Sequence, residues 1–178
     1  MARGLIGRLL GVAVASCVLV SAVGAQTAGS DPILGTWKVN VERSVYSPGP
    51  RPPAELVTLR EYAALEGGWF RFTMTSADAL GVPTLNVGVY KLDGQRHPVH
   101  TTVTLGAFMS AARPSNLTRS YRVIDPRTTE STNYTGNTAA IPIVRAVSSD
   151  GRTFIETTRG TDAQGVAVNN VILWERVN

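Results

Sequence analysis

The chain has 178 residues, with 17 Lys and Arg against 13 Asp and Glu, a formal charge of +4 and one cysteine. That length holds one domain with a real core, and a single cysteine excludes a disulfide framework. Lys occurs only at Lys38 and Lys91, and the arginines are scattered without a basic run or interleaved aromatics, which argues against a nucleic-acid groove.

Met1 to Ala25 reads as a signal peptide. Arg3 and Arg8 form a basic start, Leu9 to Val23 is apolar, and Val23-Gly24-Ala25 supplies the small residues a signal peptidase needs. The apolar run is short for a membrane span, so no span is expected in the mature chain. Cleavage after Ala25 implies a secreted or periplasmic protein. The minor alternative is a lipoprotein, because Val14-Ala15-Ser16-Cys17 resembles a lipobox. Removing Arg3 and Arg8 takes the 17 basic residues to 15 against 13 acidic ones, or +2. Residues 26–32 are expected to form a flexible N-terminal segment, and residues 33–178 the folded domain.

Leu34-Gly35-Thr36-Trp37 opens that domain. Gly35 permits a close chain approach, and Trp37, two residues on in strand geometry, is placed to plug the closed end of a barrel. The strand runs to about Val41. Ser47-Pro48-Gly49-Pro50-Arg51-Pro52-Pro53 cannot donate to a sheet ladder and predicts a stiff crossing loop or strap. Glu55 to Ala64 predicts the next strand, ending at Glu66-Gly67-Gly68. Trp69 to Ser76 comes next, with Phe70, Phe72 and Met74 on one side. Asp78-Ala79-Leu80-Gly81 turns into Thr84 to Leu92, and Asp93-Gly94 turns again. Further strands are expected at Val99 to Phe108, Leu117 to Ile124, Thr128 to Tyr134, Ile141 to Val147, Thr153 to Arg159 and Val166 to Val177. A helical turn is conceivable only at Phe108 to Ala112. The pattern is all-β: an antiparallel up-and-down barrel of about 8–10 strands.

An internal repeat supports a closed wall. Residues 66–87 align without gaps on residues 150–171 at an offset of 84, with nine identities in 22 positions: Gly67/Gly151, Phe70/Phe154, Thr73/Thr157, Asp78/Asp162, Ala79/Ala163, Gly81/Gly165, Val82/Val166, Asn86/Asn170 and Val87/Val171. One hairpin design is used twice. Its Asp hydrogen-bonds the turn backbone and its Gly supplies positive φ. A calcium role for Asp78 and Asp162 is the alternative, but one carboxylate per turn is too few for a dedicated site.

Asp31-Pro32-Ile33-Leu34-Gly35-Thr36-Trp37-Lys38-Val39-Asn40 with Ser47-Pro48-Gly49-Pro50, Tyr90 to Val99, Asp150-Gly151-Arg152-Thr153, Gly160 to Gly165 and Asn169-Asn170-Val171 together resemble small secreted bacterial proteins of lipocalin-like, calycin type. The resemblance implies that an Arg near the end of the last strand stacks across the Gly-x-Trp indole, a place held here by Arg176. The chain departs from lipocalins in having neither a helix after the last strand nor a clear Thr-Asp-Tyr block at mid-chain.

Tyr62, Phe70, Phe72, Met74, Val87, Val89, Val103, Leu105 and Trp174 are expected to face one interior and line a cavity, while Gly35, Trp37 and Arg176 close the barrel. The leading expectation is a small hydrophobic ligand held in that cavity and oriented by one or two Arg or Tyr groups at the mouth. The alternative is a filled structural or protein-interaction barrel with no ligand; the sequence names no protein partner. No catalytic residue is assigned: there is no Gly-x-Ser-x-Gly elbow, Walker loop or dinucleotide fingerprint. Glu61, Glu130 and Glu156 sit singly on strands. His97 and His100, the only histidines, point to opposite faces of an extended segment, so neither a shared metal nor a cofactor is expected. An enzyme is the third reading, and it gains ground if either histidine meets a carboxylate in a pocket.

Overall fold

The computed structural model describes residues 31–53, 57–77, 83–99, 102–104 and 116–177. The signal peptide, Cys17, the turn at 78–81, His100, Leu105 and the helical candidate at 108–112 lie outside the described residues. Among those described run twelve strands: β1 (Gly35–Val45), β2 (Leu59–Ala64), β3 (Trp69–Ala77), β4 (Pro83–Lys91), β5 (His97–Pro98), β6 (Thr102–Thr104), β7 (Leu117–Asp125), β8 (Thr128–Thr135), β9 (Thr138–Ala139), β10 (Ile143–Val147), β11 (Thr153–Thr161) and β12 (Ala167–Arg176). Setting aside the two-residue β5 and β9 leaves ten, at the upper end of the expectation. The described helical content is one 3-10 turn at Glu66–Gly68, and no described helix is long and apolar enough to cross a membrane.

All pairs are antiparallel, and the sheet runs β5-β7-β8-β10-β11-β12-β1-β2-β3-β4-β6. β1 pairs with β2 on one side and β12 on the other, so the last strand returns to the first and joins the wall there. Among the described residues the wall has one seam, between β4 and β7. There the Tyr90 and Tyr121 rings stack 4.3 Å apart. The segment after β4 runs along β7: Gly94 N–H donates to Tyr121 O at 2.8 Å and Val99 N–H to Leu117 O at 3.1 Å. The barrel is nearly closed.

The repeat is structural. β3–β4 and β11–β12 are the same hairpin displaced by 84 residues, down to a cross-strand aromatic pair in each: Phe70 opposite Tyr90 and Phe154 opposite Trp174. Both pairs are stacked, at 5.2 Å and 5.4 Å between centroids. In the second copy Asp162 Oδ1 accepts the N–H groups of Gln164 and Val166, and Gly165 has φ 81°. This is the turn chemistry that the sequence implies. Alternation explains the rest: Trp37 and Val41 of β1, Tyr62 of β2 and Phe70 of β3 are buried while their neighbours are not. β1 slips register against β12 between Asn40 and Val45. The Ser44 hydroxyl repairs the broken ladder there, donating to Asn40 O at 2.6 Å and accepting from Leu173 N–H at 2.9 Å.

The floor is built around Trp37, which is fully buried. Its indole N–H donates to Ile33 O at 2.7 Å, and its ring meets Phe154 edge-on at 4.8 Å. Arg176 lies over the indole, 4.1 Å from the centroid, and donates to the carbonyls of Pro32, Leu34 and Gly151. Gly35 has φ 118°, and a Cβ there would sit 2.5 Å from Arg176 Nη1; the close approach belongs to the guanidinium, so a side chain is excluded. Asp31 and Pro32, assigned by sequence to the flexible segment, are part of this floor. Asp31 is buried and accepts the Ile33 N–H at 2.9 Å.

Candidate functional site

Above the floor the interior holds a cavity of about 230 Å³. Register decides which side chains reach it. Phe72 and Met74 of β3 face inward opposite Tyr62 and Arg60 of β2 and Gly88 and Asn86 of β4. Tyr62, Phe72 and Met74 therefore lie in the wall, where the alternation placed them. Phe70 and Trp174 lie below, packed into the core with 2% exposure each. Val87 and Val89 border the cavity from the strand at the seam, yet they pair with Thr73 and Arg71, on the other face of the hairpin from Phe72. The inward parity of β4 is Asn86, Gly88, Tyr90, one residue off its apolar run. Val103 pairs with Leu85 on β6.

The sequence reading missed the polar half of the wall. Three arginines, Arg60, Arg119 and Arg145, face one carboxylate, Glu156. Arg60 is committed: its Nη1 lies 2.5 Å from Glu156 Oε1 and 3.1 Å from the Tyr62 hydroxyl, and its guanidinium covers the Trp174 ring at 4.3 Å. Arg119 donates to Asn133 Oδ1 and, at 3.0 Å, to the Tyr121 hydroxyl. Arg145 has no such partner. It is 6% exposed, its guanidinium lies 5.0 Å from the Tyr62 ring and 5.9 Å from that of Tyr90, and among the described residues nothing accepts from its buried Nη2. The register sets Arg145 opposite Glu156, but that carboxylate is engaged by Arg60. A signal existed: Arg145 shares parity with Ile143 and Val147, Arg60 with Tyr62, and Arg119 with Tyr121, so each sits where an inward apolar residue was due.

Tyr90 completes this pole. Burial pushes its phenol above the usual range while Arg145 pulls the other way, so the group stays an O–H. Its oxygen is buried with no partner among the described residues. Arg145 feels the Tyr90 phenol and, more weakly, the buried Asp31 carboxylate, but no carboxylate is bonded to it. The pole thus offers a cation and a hydroxyl with unsatisfied polar atoms, a costly arrangement unless something bonds them.

His97 stands at the margin of the cavity. Its Nε2 lies 3.1 Å from both carboxylate oxygens of Asp93, and its ring meets Trp69 edge-on at 4.8 Å. This is the histidine–carboxylate contact that the sequence reading tied to an enzyme. Burial would raise the Asp93 carboxyl, but the Gln95 N–H and His97 outweigh it and hold the carboxyl below its usual range. Among the described residues no hydroxyl or thiol hydrogen-bonds the His97 ring, and none form a metal-binding group of three His, Cys, Asp or Glu.

No protein-family model matches the chain, and no curated protein sequence matches it. Solved structures do resemble it. Fatty-acid-binding protein 1 of Echinococcus granulosus aligns over 83% of this chain and 98% of its own, with a TM-score of 0.52 at 16% identity. A single-residue variant of the fluorescent protein UnaG aligns over 83% and 97%, with a TM-score of 0.51 at 12% identity. At such identity the likeness speaks to the fold alone, and the fold is an all-β, antiparallel, nearly closed barrel of the lipocalin-like, calycin type.

Proposed function

We propose that this barrel binds a small, mainly apolar molecule carrying one negatively charged group, and that it does so outside the cytoplasm. The observation that carries the reading is Arg145, a buried cation whose Nη2 is unpartnered among the described residues and which stands beside an apolar wall. Water can solvate such a group in the unliganded barrel, but a carboxylate brings the opposite charge and two acceptors. Apolar burial against Tyr62, Phe72, Met74 and Ile143 then supplies affinity at roughly 25 cal/mol per Å², before ordering costs. One fold neighbour is named for binding fatty acids, which fits a calycin barrel used as a container. Export rests on the basic, apolar and small-residue order of Met1 to Ala25, and N-terminal sequencing of the exported protein tests it.

The test of binding is titration with an anionic fluorescent dye small enough for the cavity, such as indole-2-carboxylate. The expected result is one saturable site per chain, lost in Arg145→Met. No saturable binding in the wild type, or unchanged binding in the variant, contradicts the proposal. Acid–base catalysis has the His97–Asp93 contact in its favour, and His97→Gln separates the two readings: under the binding reading, dye affinity changes little.

A further inference from the structure

We infer that the ligand is a compact aromatic acid, of one ring or a fused pair, rather than a long-chain fatty acid. The inference rests on the reading that Arg145 receives the ligand's anion, and it adds the shape of the apolar body attached to that anion.

Size comes first. A cavity of about 150 Å³ accommodates benzene. On that scale the 230 Å³ interior takes about nine to twelve non-hydrogen atoms, and hexadecanoate has about half as many again or more. The wall has little room to retreat. A Cβ on Gly88 would fall 2.3 Å from the Phe72 ring, so that ring already rests on the backbone of β4. Two residues further along β4, Tyr90 is held between Phe70 at 5.2 Å and Tyr121 at 4.3 Å. A chain too long for the cavity cannot lengthen it by pressing either ring outward; because the cavity opens to solvent, the excess would stay in water and add little affinity.

Shape comes second. Two aromatic rings, Tyr62 and Tyr90, lie against the Arg145 guanidinium. Tyr62 lies under the guanidinium, meets Tyr90 edge-on with centroids 6.4 Å apart, and is tilted against Phe72 at the same distance. Rings at these spacings expose faces and edges on which a flat ring can pack, and such pairs add about 0.5–1.5 kcal/mol beyond area burial. A flexible alkyl chain gains no such term and loses rotamer freedom on binding. An aromatic acid also places its carboxylate in the ring plane or one bond from it, within the span between Arg145 and these walls.

Isothermal titration of the full mature protein with four probes tests this: trans-cinnamate, cinnamyl alcohol, decanoate and hexadecanoate. Cinnamate is expected to bind about tenfold or more tightly than either alkyl acid, and cinnamyl alcohol far more weakly than cinnamate. Decanoate or hexadecanoate binding as tightly as cinnamate overturns the aromatic assignment and leaves the anion reading standing. Cinnamyl alcohol matching cinnamate overturns the anion reading, and the inference falls with it. Phe72→Leu gives an independent check that spares Arg145. Cinnamate should weaken and hexadecanoate should gain, and an unchanged ranking contradicts the proposed role of the ring wall.

Discussion

Replacing Trp37 with alanine removes the residue on which the floor is assembled, and the structure allows the loss to be itemised. The side chain is fully buried, so its truncation falls in the range of about 3–5 kcal/mol seen for large buried aromatics. Three specific contacts go with it. Ile33 O loses the indole N–H at 2.7 Å, the Phe154 ring loses an edge-on partner at 4.8 Å, and Arg176 loses the face it covers at 4.1 Å. A stranded buried carbonyl costs about 1–3 kcal/mol, and an aromatic pair about 0.5–1.5. These overlap with the truncation value rather than adding to it, and they set the expectation at its upper end, about 5 kcal/mol. For a chain of this size that lowers the melting temperature by about 10–20 °C. Trp69→Ala is the control, since Trp69 lies on the outer parity of β3, opposite Lys91, and its loss should be about 1 kcal/mol. Urea melts monitored by circular dichroism read both. A Trp37→Ala loss below about 1 kcal/mol, or one no larger than for Trp69→Ala, refutes the plugged floor.

Three further outcomes rest on local geometry. Gly88→Ala drives a Cβ to 2.3 Å from the Phe72 ring; the ring must swing into the cavity, so dye binding should weaken and stability fall by about 1–3 kcal/mol, and unchanged binding would contradict the inward placement of Phe72. Arg60→Met strands Glu156, now held at 2.5 Å, and should cost about 3 kcal/mol in denaturant melts; a neutral result would mean the pair is solvated. The Asp150 carboxylate accepts from Ser148 Oγ and the Arg152 N–H, which hold it below the usual carboxylate range. Its contribution is therefore complete above the unfolded value of about 4 and lost as pH falls through the lower folded value. Asp150→Asn should be less stable than the wild type at pH 7 and converge with it near pH 2, which parallel pH-dependent melts would reveal; a constant difference would deny the linkage.

Much of the barrel was legible because its signals are local. Period-two alternation in Trp69 to Ser76, the Gly-x-Trp entry and the hairpin repeat at an offset of 84 each specify backbone geometry within a few residues, and the structure has strands at these places. The resemblance to lipocalin-like proteins placed Arg176 over Trp37, which composition alone could not do. The site was harder to read because apolar character was taken as the mark of the interior. In β4 that rule selects Val87 and Val89, whereas pairing with β3 turns Asn86, Gly88 and Tyr90 inward. In β10 it passes over Arg145, whose parity with Ile143 and Val147 was visible but whose burial depends on two neighbouring strands far away in sequence. That Arg60, and not Arg145, holds Glu156 is a three-strand fact, and no spacing along the chain encodes it.

The claim on which the functional reading depends is that Arg145 is a buried cation without a protein counter-charge bonded to it. The direct measurement is the unfolding free energy of ligand-free Arg145→Met beside the wild type. A missing partner predicts a variant that is equally stable or more stable by about 1–3 kcal/mol, because a desolvated charge has been exchanged for a thioether of similar reach. A loss of about 3–5 kcal/mol would mean that Arg145 is one half of a structural pair, and the cavity would then have no charge to offer a ligand.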